Sequence, residues 1–323
     1  MIKRKIGFYD FLIFLSFTAC ALILALNKNA PTLVLQGVML WAGCVMPSLF
    51  PYFFITNILS SLKTTNKFAR IISPFTKKFF RVGGAVGYAY FCSLISGYPV
   101  GAKTVSDLKI KGYINQSESV RASVFCSTSS PAFILASVGG VMFKSVKLGL
   151  LLFLVHILSS FITGVIFSFY KRKEKPCDKL LTYNKPQDLF YQSVYSAVIS
   201  VLLVGSIITL FYLLTEMLIF YKILSPLINL LTLIAGNVDF AKGVALGVFE
   251  CTKGLSALSK GGITFFTLPT CAFLCGFSGL SIIMQSLIYL KKAQIKTAPF
   301  ILSKIVCAVI SFILAMPFSL LLL

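Results

Sequence analysis

Charge is scarce in this sequence. Of 323 residues only 12% are charged, acidic residues number nine, and histidine occurs once. That scarcity excludes several chemistries. Zinc proteases and zinc-binding modules need His, Cys or carboxylates at set spacings, and no such spacing occurs. A membrane hydrolase needs a nucleophile gathered with a base. With one histidine a Ser-His-acid set is only arithmetically available, and no motif supports it or a Ser-Lys pair. The sequence therefore predicts a non-enzyme, with no metal and no cofactor. Nine cysteines, an odd number without framework spacing and mostly inside apolar segments, argue against a disulfide scaffold. Cys271 and Cys275, four apart on one helical face, read as small packing residues. A cleavable signal is likewise not expected: the apolar run after the basic start of "MIKRKIGFYDFLIFLSFTACALILALNKN" is long and lacks a small-residue cleavage site.

What is abundant is apolar surface. At 57% hydrophobic the chain carries more than a soluble domain of this size can hide. Several apolar stretches reach about 20 residues, the length of a bilayer-spanning helix. The pattern predicts an all-α polytopic membrane protein with spans near 8–26, 33–62, 122–143, 148–170, 190–220, 264–290 and 298–323. Two further segments, 82–108 and 237–262, are interrupted by Gly, Pro and charge. They read as re-entrant hairpins that enter and leave on one side, which makes about seven spans plus two hairpins.

With that arrangement the net charge of +21 is not a nucleic-acid signal, since no aromatic-and-basic platform accompanies it. It sorts by membrane side instead. Twenty-two Lys and Arg fall on one side, seven on the other, and Lys304 lies within a span. Excess positive charge marks the cytoplasmic side, so the N-terminus is expected in the cytoplasm and the C-terminus outside, with the basic loops meeting anionic lipid.

The two halves echo each other. "ISPF" (72–75) returns as "LSPL" (224–227), each with a Ser-Pro that favours a helix break. Gly97 to Lys103 in "GYPVGAK" matches Gly247 to Lys253 in "GVFECTK", and "FCSTSSPAF" (125–133) matches "FLCGFSGLS" (273–281). The offsets are 152, 150 and about 149 residues. With one hairpin entering from each side the repeats would be inverted, a recurring transporter architecture in which broken helices meet near the midplane. Irregular backbone at that depth is tolerated only where protein or a wet cavity satisfies it.

"MPSLFP" (46–51), "SGYPVGAK" (96–103), "SSPAF" (129–133), "GVFECTKG" (247–254) and "GFSGLS" (276–281) resemble the sporulation integral membrane proteins of the YlbJ (SpoVV) type. These belong to the nucleoside-recognition, or Gate-domain, group, distantly similar to concentrative nucleoside transporters. The resemblance covers roughly residues 37 to 323. It implies an anchor helix over 1–36, a first Gate-like repeat over 37–170, a basic cytoplasmic loop over 171–189 and a second, inverted repeat over 190–323. It also implies a place in the outer forespore membrane, made by the mother cell, and movement of dipicolinate, a flat aromatic dianion. The family turn before "SSPAF" often carries Asn where this chain has "CSTSS", so hydroxyls replace an amide there.

For such a solute the tips offer definite chemistry. Half-helix N-termini present N–H groups to carboxylates. Gly97, Gly101, Gly247 and Gly254 would allow close backbone approach, and Pro99 would fix a turn. Lys103 and Lys253 would each face one carboxylate, with Tyr98 and Phe249 against the ring. Ser127, Thr128, Ser129, Ser130, Ser278 and Ser281 would add hydroxyls. Each residue also has a plainer use. Lys103 with Asp107, and Glu250 with Lys253, are spaced as same-face ion pairs; Pro99 would kink a helix; serines let membrane helices pack closely. Glu250, an acid at mid-membrane depth, is expensive there and is the candidate proton carrier; Glu216 is a second candidate. His156 reads as a polar contact between helices.

Rival functions are a non-transporting sporulation scaffold or receptor and a carrier of nucleosides or metal ions. Repeat-related lysines favour an anion. The expected partners are therefore a small anionic substrate and lipid, with no nucleic acid; self-association and sporulation-membrane partners stay open. Cysteine-accessibility mapping tests the topology: sites placed in 63–81 and in 103–121 are expected to label from the same, cytoplasmic side. Labelling from opposite sides would mean that the segment between them crosses fully.

Overall fold

The computed structural model describes residues 27–171 and 188–322, together with Thr18, Leu24, Lys173, Glu174, Pro176 and Cys177, but without Arg172 and Lys175. The expected first span, 8–26, and most of the basic loop 171–189 lie outside the described residues. Among the described residues all regular structure is helical. The first half comprises α1 (Ala30–Leu40), a π-helical turn (Trp41–Val45), α2 (Met46–Ser60), α3 (Lys63–Phe80), α4 (Gly84–Ser96), α5 (Val100–Ile110), α6 (Gln116–Phe125), a second π-helix (Ala132–Met142) and α7 (Val146–Phe167). The second comprises α8 (Leu189–Phe220), α9 (Ser225–Ala235), α10 (Val238–Phe249), α11 (Cys251–Lys260), α12 (Thr267–Phe277), α13 (Gly279–Lys292) and α14 (Ala298–Ser319).

The order repeats. In each half a long helical run (α1 through α2, and α8) leads to a shorter helix (α3, α9), then a helix–break–helix pair, then a broken helix, then an unbroken 22-residue helix (α7, α14). Among the described residues four stretches are long and apolar enough to cross a membrane: Val146–Phe167, Leu189–Phe220, Thr267–Lys292 and Ala298–Ser319. Their faces are sorted as lipid requires. On α14, Ile301, Leu302, Ile305, Val309 and Ile313 are exposed, whereas Ser303, Lys304, Cys307, Ala308 and Ser311 are buried. On α7, Leu150, Leu154 and Leu158 face out while His156, Ser159, Ser160 and Thr163 face in. Small and polar residues inside, with large aliphatics outside, is how helices associate in a medium as apolar as leucine. The Ser159–Ser311 hydroxyl contact of 2.7 Å between α7 and α14 is one such join.

Two local expectations are corrected. One Ser-Pro pair does not break its helix: Pro74 sits inside α3, whereas Ser225-Pro226 follows the turn that ends α8 and opens α9, where a missing N–H costs nothing. The stretch 63–81, expected as a basic loop, is α3, a helix with Lys77 and Lys78 in its last turn where cations suit the dipole.

The halves are interleaved. α4 and α5 pack on each other, as do α10 and α11. α5 also packs on α13 of the other half, with the Ser106 hydroxyl donating to the Tyr289 carbonyl at 2.8 Å, and α11 packs on the second π-helix. One core runs through Phe80, Phe125 and Tyr90, with the Phe80 and Phe125 rings stacked at 4.0 Å. Another joins Ile134, Leu148, Leu255, Leu268 and Leu274 across the halves. Close packing of α5 depends on Gly101, whose added Cβ would collide with the Cys126 carbonyl oxygen. Gly101→Val is therefore expected to destabilise by about 1–3 kcal/mol or more. Gly43→Ala, where nothing lies within 4 Å of the new atom, should leave the thermal midpoint of the detergent-solubilised protein unmoved.

Candidate functional site

The sequence stops its helices at four places, and two of the stops come together. The first pair turns at Gly97-Tyr98-Pro99, between α4 and α5, with a cis peptide before Pro99. Gly97 has φ +77°, and a Cβ there would sit 2.6 Å from the Ser130 nitrogen. Glycine is thus required both by conformation and by contact. The tip rests on the unwound stretch 126–131 between α6 and the second π-helix. There the Ser93 and Thr128 hydroxyls meet at 2.9 Å, Thr128 also donating to the Ser93 carbonyl at 2.8 Å. The Ser129 amide donates to His156 Nε2 at 2.8 Å. His156 therefore does join two helices, as its position in a span suggested.

The second pair turns at Glu250, between α10 and α11, where no glycine supplies the corner. Glu250 is itself the N-cap of α11: its carboxylate accepts the amides of Thr252 at 3.2 Å and Lys253 at 2.6 Å. Beside it α12 gives way to α13 at Ser278 and Gly279, with φ of +75° and +77°. A Cβ on Gly279 would come within 3.0 Å of the Cys251 nitrogen and 3.4 Å of the Phe249 carbonyl oxygen.

The broken stretches of the two halves also meet. The Tyr98 hydroxyl reaches across to donate to the Cys275 carbonyl at 2.9 Å, close to the hydroxyls of Ser129 and Ser278. Between the two breaks lies Lys304 of α14. Its ammonium donates to the Ser127 carbonyl at 2.9 Å and to the Ser278 hydroxyl at 3.3 Å, and sits 4.7 Å from the Tyr98 ring centre. Lys304 is 3% exposed, and among the described residues no carboxylate pairs with it.

Several expected site residues gather here: Gly97, Tyr98, Ser127, Thr128, Ser129, Ser130 and Ser278 line the junction, and Pro99 caps α5. Ser130 accepts the Phe133 amide, and Ser281 the Gln285 side chain. Other expected residues have different work. Lys103 donates to Asn57 at 2.8 Å and to Asp107 at 3.1 Å, the plainer same-face pair. Lys253 does not pair with Glu250 through its ammonium. It reaches α8 instead, donating to Glu216 at 2.9 Å, Thr215 at 2.6 Å and the Tyr212 carbonyl at 3.3 Å. Both lysines thus tie a hairpin to a neighbouring long helix, α2 or α8, and share no partner. Gly101, Gly247 and Gly254 serve helix packing: a Cβ on Gly254 would strike Gly247, and one on Gly247 would meet Leu274. Phe249 presents its carbonyl, not a ring contact, at the second break.

Lys304 was missed as a site residue, although a lysine two turns inside a 22-residue apolar helix is itself a strong signal. An apolar cleft of about 600 Å³ lies elsewhere, lined by Phe240, Phe266, Phe273, Val309 and Phe312 among others. No charged side chain lines it among the described residues, so it offers an anion no counter-charge.

A polar junction of broken helices buried beneath apolar outer faces belongs to a multi-pass membrane protein. The chain is similar to the sporulation integral membrane protein YlbJ of Bacillus subtilis (strain 168), 26% identical over 306 residues, covering 87% of this chain and 75% of that protein. No protein-family model matches it, and no solved structure matches it.

Glu250→Ala removes the carboxylate that caps α11 and is expected to cost about 0.5–2 kcal/mol of stability. Glu250→Gln keeps an acceptor and should cost less. Thermal unfolding of the three proteins in one detergent checks the order.

Proposed function

We propose that the protein carries a small anionic solute across a membrane, bound where the first hairpin tip meets the two broken helices. The observation that carries this is the crossing itself. The Tyr98–Cys275 hydrogen bond joins the first turn to the break at Ser278 across 177 residues of sequence, and one ammonium bridges the breaks at Ser127 and Ser278. A purely structural membrane bundle has no use for paired interruptions of its helices at a shared buried point, whereas a carrier needs backbone and side-chain donors there. The sign of the charge follows from Lys304, a buried cation without a counter-ion.

Similarity to a sporulation protein supports a role in spore formation, and the resemblance to the YlbJ type and its Gate-domain relatives favours dipicolinate, moved across the outer forespore membrane, as the solute. On this proposal the two helix–break–helix pairs are re-entrant hairpins of inverted repeats.

The test is uptake of labelled dipicolinate into proteoliposomes holding the purified full chain. Saturable uptake, suppressed by excess unlabelled compound, is expected. Uptake of a neutral nucleoside in its place would move the function to the nucleoside carriers, and vesicles that move neither would leave a scaffold or receptor. Proton coupling through Glu250 has its own check: uptake by Glu250→Gln that keeps its dependence on external pH would exclude that residue as the proton carrier.

A further inference from the structure

Four polar groups at the junction are not used up by the fold. The Lys304 ammonium has three N–H bonds and makes two hydrogen bonds. The hydroxyls of Ser96 and Ser127 have no partner at all, though these residues are 3% and 7% exposed. His156 is the fourth. Its Nε2 accepts the Ser129 amide and so carries no proton, which puts the hydrogen on Nδ1; that N–H is buried and has no partner either. All four belong to one neighbourhood. Ser127 also accepts from Lys304 through its carbonyl, Ser96 lies two residues before the Tyr98 ring on which Lys304 sits, and His156 holds the Ser129 amide two residues beyond Ser127.

A buried polar group left without a partner costs about 1–3 kcal/mol, and proteins rarely leave one without a reason. Here three orphans and an incompletely bonded cation occur together. Two of the four are donors only, and the serines can donate. The complement is a group with acceptors only and a negative charge. An ionised carboxylate has two oxygens with about four lone-pair sites. Four donors therefore match one carboxylate.

We propose that Lys304, Ser96, Ser127 and His156 Nδ1–H form the pocket that recognises a single carboxylate of the solute, and that Lys304 sets the selectivity for anions. This rests on the proposed carriage of an anion and adds which charge reads it. Lys103 and Lys253 do not take part, since Lys103 already holds Asp107 and Asn57, and Lys253 holds Glu216 and Thr215. A second carboxylate, as on dipicolinate, extends away from this pocket and meets no second unpaired lysine among the described residues, so a ring with one carboxylate keeps most of the affinity.

The experiment measures equilibrium binding of labelled dipicolinate to the purified full chain in detergent, with picolinate and the neutral pyridine-2,6-dicarboxamide as competitors. Wild type is expected to prefer dipicolinate and picolinate and to ignore the diamide. Lys304→Gln, which keeps a donor without charge, should lose roughly 10–100-fold in dipicolinate affinity and stop discriminating against the diamide. A merely structural lysine would not produce that switch, and Lys103→Met, which removes an anchoring ion pair, should retain the discrimination. Ser96→Ala and Ser127→Ala supply a decision even if the Gln variant fails to fold, because neither hydroxyl has a bond to lose. Each should weaken binding roughly 3–10-fold while thermal stability holds or rises. Wild-type affinity in Lys304→Gln, or in both serine variants, overturns this pocket and leaves the anion carrier standing. Wild type that binds none of the carboxylates overturns the carrier and the pocket together.

Discussion

A helix that ends inside an apolar layer strands its last carbonyls and first amides where no water can reach them, and everything polar in this structure answers to that constraint. The break after α6 is held by Ser93 on Thr128, by His156 on the Ser129 amide and by Lys304 on the Ser127 carbonyl. The start of α11 is held by Glu250. The end of α12 is met from the opposite half by the Tyr98 hydroxyl on the Cys275 carbonyl. Apart from Glu250, which caps its own helix, each satisfaction comes from a different element, so those breaks depend on the assembly that closes over them.

Three lysines inside or beside these breaks show how context decides the meaning of a charge. Lys103 and Lys253 have carboxylates within 3.1 Å and serve as ties between a hairpin and a long helix. Such pairs hold position at little net energetic gain. Lys304 has a carbonyl, a hydroxyl and the aromatic faces of Tyr98 and Phe300, with no carboxylate among the described residues. Burial of a cation is tolerable where carbonyl dipoles and a ring quadrupole offset part of the desolvation, and it leaves the local field positive.

The pseudo-repetition is close in element order but unequal in chemistry. The first tip turns on a glycine at positive φ with Pro99 as its cap, leaving the start of α5 without a side-chain acceptor; the second turns on an acid that fills the corresponding place. One half thus carries its own carboxylate where the other has none. With Lys304 supplied by the last helix, the polar centre lies toward the first hairpin and not midway between equals.

Much of the architecture was legible from periodicity and composition, because apolar runs and Gly-Pro interruptions act locally. The spans near 148–170, 190–220 and 298–323 correspond to α7, α8 and α14, and the interruptions at Gly97 and Glu250 fall where the helix pairs turn. The Ser-Pro pair at Pro74 misled, since α3 continues through it, whereas the pair at Pro226 does mark a helix start. What the residues alone determined was the class: an all-helical membrane protein whose helices must break twice in each half. Which side chains meet was decided only by the tertiary fold. Repeat position pairs Lys103 with Lys253, but helix packing takes them to Asn57 and Glu216 and brings Lys304, a residue with no marked counterpart, to the crossing. Sequence spacing reports the face a residue occupies on its own helix, whereas the partner across that face depends on how distant helices are placed.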